Sequence, residues 1–111
     1  MAKPLLTKKG FNEWLAKQSD HRTAECGNPQ RCVLAQYLAD TYGGVAVVTH
    51  KNFAAGLTNR QANRPYGEVK FYALPKWALK VVREFDGLRP LYNRSGRLRY
   101  SRIRKELGGG S

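Results

Sequence analysis

Two sets of side chains bear on chemistry by type and spacing. The first is Cys26, Cys32, His21 and His50. Zinc takes four tetrahedral ligands, or three and a water, and its ligand pairs are usually spaced by about two to four residues. Here five residues separate the cysteines and the histidines are remote from each other, so the pattern argues against a metal site. Cys32 falls near a helix start, where an exposed thiol is acidified, but a small sulfur side chain in that position more commonly packs. Two thiols in a small chain of this kind are expected to stay reduced. His21 or His50 could move protons in a metal-independent ribonuclease, with Lys, Arg and Tyr stabilising the developing charge, yet nearly every basic domain has these residue types. Neither G-x-x-x-x-G-K-[ST] nor G-x-G-x-x-G occurs, and the eight carboxylates show no paired two-metal arrangement. The reading is therefore a non-enzymatic protein with no cofactor, a ribonuclease being its second alternative.

The second set is RSGRLRYSRIRK, residues 94–105, which holds six cationic side chains and no carboxylate. Leu98, Tyr100 and Ile103 are threaded through it, so this segment must pack as well as carry charge. Arg94, Arg97, Arg99, Arg102, Arg104 and Lys105 are the candidate phosphate contacts, and Lys51, Arg60 and Arg64 extend the path. Tyr100 joins them as a stacking face, as do Tyr92, Tyr66 and Tyr72, although packing is the commoner role for any single tyrosine.

The elements that must position these residues can be read from the rest of the chain. Thr7 caps a helix near residues 8–18 whose stripe is Phe11, Trp14 and Leu15. The run SDHRTAECGN reads as a loop. Asn28-Pro29 predicts the start of a second helix, with Val33, Leu34, Tyr37, Leu38 and Thr41 inward, and Gly43-Gly44 ends it near Tyr42. VAVVT at 45–49 is a short buried strand. Residues 50–66 predict a long surface loop in which NFAAGL could pair irregularly. EVKFYAL at 68–74 alternates as a strand, and Leu74-Pro75 opens a helix carrying Trp77, Ala78, Val81, Val82 and Phe85 on one side and Lys76, Lys80 and Arg83 on the other. RPLY and RLRY predict a hairpin around Asn93–Gly96 with Leu98 and Tyr100 inward and Arg97 and Arg99 outward. SRIRKEL adds a helical turn.

FNEWL, C-x-L-A-x-Y-L at Cys32–Leu38, the Gly-Gly-V-x-V strand at 43–47 and LPKWALKVVREFD at 74–86 together resemble a group of small bacterial and phage proteins. These carry a Trp-Leu helix, a C-P-[IL]-A-x-x-L helix and an L-P-x-W…F-D helix. The resemblance spans residues 11–88, with Val33 where that pattern has proline. It implies a compact α+β domain of bacterial or phage origin and carries no chemistry.

Chain length and composition set the bounds. With 111 residues, 41% of them hydrophobic, one modest core is expected. The fold class expected is α+β: a single basic domain over residues 1–107, about three helices on a short β-sheet with a basic C-terminal hairpin or extended segment. The GGGS at 108–111 reads as a linker or tag remnant. No apolar run reaches the roughly 18 residues of a membrane span and no signal peptide is evident, so a cytoplasmic location in a bacterial host cell and no membrane partner are expected. The formal charge is +12, of which +7 lies in residues 75–111. Polyanions are the expected partners, DNA or RNA, bound with weak sequence selectivity. The main alternative is a phage-type inhibitor or adaptor whose cationic face binds an acidic surface on a host protein. Both readings require these cations to gather on one exposed side.

Overall fold

The computed structural model describes residues 6–25, 28–63 and 69–108. Within them the order is α1 (Lys8–Ala16), β1 (Thr23–Glu25), α2 (Val33–Tyr42), β2 (Val45–Val48), β3 (Asn52–Leu57), α3 (Asn59–Asn63), β4 (Tyr72–Ala73), α4 (Lys76–Asp86), β5 (Arg97–Arg99) and α5 (Tyr100–Ile103). A 3₁₀ turn at Arg89–Leu91 follows α4, and α5 continues as a π-helical turn over Arg104–Gly108. The class is α+β with two small antiparallel sheets, β1-β5 and β2-β3-β4. No described helix is long and apolar enough to cross a membrane.

Each helix forms where local chemistry supports it. Thr7 Oγ1 accepts from Gly10 N at 3.1 Å and caps α1, which buries Phe11 and Leu15. Helix α2 starts four residues later than Asn28-Pro29 suggests, at Val33 instead of Pro29. Asn28 Oδ1 instead accepts from Gln30 N, closing a separate turn over 28–32, and the Cys32 sulfur caps the helix by accepting from Ala35 N at 3.5 Å. Gly43 ends α2 with φ 78°.

The core lies between α1, α2, α4, α5 and one face of the larger sheet. Phe11, Phe53, Phe85, Leu34, Leu38, Ile103 and Tyr100 are its largest fully buried members. Strand alternation sends Ala46, Val48 and Phe53 into this core, while Val47, Ala54 and Leu57 join Ala62 of α3 in a second cluster behind the sheet.

Three expectations are corrected. The long loop expected over 50–66 is interrupted by α3 and by the central strand β3, in which NFAAGL does pair irregularly: two steps along β2 oppose three along β3, and Gly56, with φ 69°, accommodates the extra residue. The strand expected at 68–74 pairs only at Tyr72–Ala73 among its described residues, Glu68 lying outside them. RPLY and RLRY do not form a hairpin with each other: β5 pairs with β1, inside the segment expected to be loop.

Candidate nucleic-acid interface

The β1–β5 ladder creates an outward face from residues far apart in sequence. Ala24 and Leu98 are paired partners and both are buried, so the flanking pairs Thr23↔Arg99 and Glu25↔Arg97 project from the other side. Tyr100 N donates to Arg22 O at 2.7 Å and prolongs the ladder toward α5. The preceding turn is organised by Asn93, whose Oδ1 accepts from Ser95 N at 2.9 Å and Arg97 N at 3.0 Å, while Gly96 takes φ 74°. This leaves Arg94 exposed at the tip of the turn.

Glu25 is the only carboxylate bonded into this face among the described residues. Arg97 Nε donates to Glu25 Oε1 at 3.0 Å, Arg31 Nη1 stands 3.7 Å from the same oxygen, and Asn28 Nδ2 donates to Oε2 at 2.9 Å. The hydrogen bond from Arg97, then that from Asn28, holds the Glu25 carboxyl below its usual range. Arg97 and Arg31 thus share the Glu25 carboxylate, while Arg94 and Arg99 make no ion pair among the described residues.

The remaining expected contacts separate into different roles. Arg102 is exposed and pairs with Glu106 at 3.4 Å one helical turn away, and Lys105 is exposed, with no ion pair among the described residues. Arg104 is not presented to solvent as a contact. Its guanidinium donates to Gln18 O at 2.7 Å and Leu15 O at 3.5 Å and pairs with Asp20, tying the C-terminal helix to the end of α1. Tyr100 is likewise corrected from a stacking face to a core residue. It is fully buried, its hydroxyl donates to Gln36 Oε1 at 2.8 Å, and burial pushes its phenol upward. Tyr92 and Tyr72 are half-buried against Phe85 and Phe53, and Tyr66 lies outside the described residues. Lys51 is exposed in the β2–β3 turn and Arg60 on α3; among the described residues no hydrogen bond or ion pair joins either to β5, and Arg64 lies outside them.

Arg22 is a cation that the sequence gives no reason to single out. It stands 5.4 Å from the ring centres of Trp14 and Tyr100, bonds Gln36 and Gln18, and pairs with Asp40 at 2.6 Å. It belongs to the scaffold. Arg31, Asn28 and Glu25 belong to the outward face and are also missed by sequence reasoning, since their link to Arg97 spans about two thirds of the chain.

Among the residues of possible catalytic use, His21 is exposed, and His50 lines a pocket with Cys32. Burial pushes the Cys32 thiol up to about 11, so it is protonated near neutral pH and unsuited to nucleophilic attack. Among the described residues, no group of three or more His, Cys, Asp or Glu is placed to hold a metal ion; Cys26 lies outside them. Comparison with known proteins gives no match to a family model, a curated protein or a solved structure.

Proposed function

We propose that the protein is a non-enzymatic nucleic-acid-binding module, and that it binds through the outer face of the β1–β5 sheet, the turn at Arg94, and Lys105 and Arg102 beyond it. The observation that carries this reading is the alternation of β5: Leu98 is buried while Arg97 and Arg99 are exposed, Arg31 shares Glu25 with Arg97, and Arg94 is exposed in the turn before the strand. Four guanidiniums against one carboxylate make a ribbon of positive potential on a rigid ladder, and each phosphate it engages releases condensed counterions.

The ion pairs do not remove Arg97 and Arg102 from this role. Both side chains are about half exposed, at 47% and 46%, and solvent screens such exposed pairs so that they hold the cations only weakly. A phosphate can therefore replace Glu25 or Glu106 at small cost. Phosphate contacts position a strand without reading its bases, so weak selectivity follows.

Fluorescence anisotropy of a labelled single-stranded oligonucleotide, titrated with protein across a salt series, tests the reading. Saturable binding that weakens steeply with salt is expected, with loss of at least tenfold in affinity for Arg94→Ala/Arg99→Ala. Absence of binding at low salt, together with specific capture of one acidic host protein, would replace this reading with the inhibitor alternative.

A further inference from the structure

A pocket of about 280 Å³ opens between the start of α2, the end of β2 and α4. Its walls include Val33, Leu34, Val81, Val82 and Phe85, and its polar lining includes Asn28, His50 and Asp86. We propose that this pocket receives one unstacked base of a nucleic-acid strand lying across the β1–β5 face. The proposal rests on the nucleic-acid-binding reading above and names the part of the strand that the cations leave unaddressed.

Position is the first support. Asn28 lines the pocket, and its side-chain amide donates to Glu25, the carboxylate that Arg97 and Arg31 share. One residue thus belongs both to the pocket wall and to the cationic ribbon. Pro29 beside it also lines the pocket, and Pro29 O accepts from Val48 N at 2.8 Å, fixing this lip to β2. Thr49 and His50 form a further part of the lining, and the exposed Lys51 follows them. A backbone resting on the ribbon can therefore turn a base inward without its phosphates entering.

Size and chemistry are the second support. The volume falls just below the roughly 300–1,000 Å³ of small-molecule sites, which suits one ring system. Aliphatic and aromatic walls match the face of a base. Asn28 and the Thr49 hydroxyl are engaged in the turns at 28–32 and 49–52, and the polar lining that can meet a base edge includes His50 and Asp86. A carboxylate offers about four acceptor positions, so Asp86 retains acceptor capacity beyond another partner. It favours an exocyclic amine, as on cytosine, adenine or guanine, and disfavours the carbonyl that uracil or thymine presents at the same place.

Affinities of the intact protein for oligocytidylate, oligouridylate and an abasic strand of equal length test this. Cytidylate is expected to bind at least fivefold more tightly than the abasic strand and about threefold more tightly than uridylate. Asp86→Asn should erase the second ratio. Val82→Met, which narrows the pocket, should bring the first ratio toward one while leaving the melting temperature within a few degrees. Emission of a strand bearing one 2-aminopurine should change on binding to the wild type. Equal affinity for base-bearing and abasic strands would overturn the base pocket and leave the ribbon standing, whereas binding to none of the strands at low salt would overturn both. Cytidine monophosphate binding as tightly as the strand would also overturn it, in favour of a site for free nucleotide.

Discussion

At the scale of single residues, arginines of one chain divide into two populations with opposite fates. Arg22 and Arg104 have their hydrogen bonds met by Asp40, Gln36 and backbone carbonyls and act as structural pins. Arg94 and Arg99 have no carboxylate partner among the described residues and are exposed. Tyr100 belongs with the first population. Replacing it by Phe removes one hydrogen bond while Gln36 Oε1 keeps its bond from Arg22 Nε at 2.8 Å, so a loss of about 1 kcal/mol is expected in urea unfolding, with unchanged oligonucleotide affinity. Asp40 supplies a pH dependence. The hydrogen bond from Arg22, helped by that from Trp14 and opposed by burial, holds its carboxyl below the ordinary value. Its stabilisation is therefore complete above the unfolded-state value of about 3.9 and disappears as pH falls through the lower folded value. Asp40→Asn should cost about 0.5–1 kcal/mol at neutral pH, because the pair is partly exposed, and should flatten the loss of stability between pH 4 and 2 as followed by circular dichroism.

At the scale of elements, the parts readable from sequence are those whose causes are local. Thr7, the Phe11–Leu15 stripe, Gly43 and the Trp77–Phe85 stripe each act within a few residues, and α1, the end of α2, and α4 appear where they direct. Strand β1 was not legible, because three residues of a polar stretch become a strand only by pairing with Arg97–Arg99 more than seventy positions away. The same distance hid the Glu25–Arg97 bond and with it the composition of the candidate site. Strand β3 was obscured by Gly56, which breaks the two-residue period because it sits in a bulge. Asn28-Pro29 carries the signature of a helix start, but the asparagine spends its side chain on a tighter turn. The close approach of β3 to Gly44 yields a sharp expectation. With φ 64° and a position where an added Cβ would stand 2.5 Å from Leu57 O, Gly44→Ala should cost about 2 kcal/mol, while Gly43, whose added Cβ would meet open space, should tolerate Asn at under about 1 kcal/mol. Thermal melts of the two variants separate these outcomes. Arg104→Met should cost about 1–2 kcal/mol by freeing the carbonyls at the end of α1, again without altering oligonucleotide affinity.

At the scale of the whole molecule, the excess of +12 is distributed over more than one element. Lys76, Lys80 and Arg83 line the outer side of α4, Lys8 and Lys9 begin α1, and the arginine ribbon occupies β5 and its turn. Total charge alone would attract a polyanion to all of these, whereas the proposed function assigns the contact to the ribbon. Two triple variants with the same loss of charge decide between these accounts: Arg94→Ala/Arg97→Ala/Arg99→Ala, and Lys76→Ala/Lys80→Ala/Arg83→Ala. In the salt dependence of single-strand affinity, the ribbon variant should lose at least tenfold at low salt and its log–log slope should shrink by about 2, three phosphate contacts having gone. The α4 variant should change affinity by less than threefold. Equal losses in both, or a larger loss from α4, would contradict a binding face built on the β1–β5 ladder.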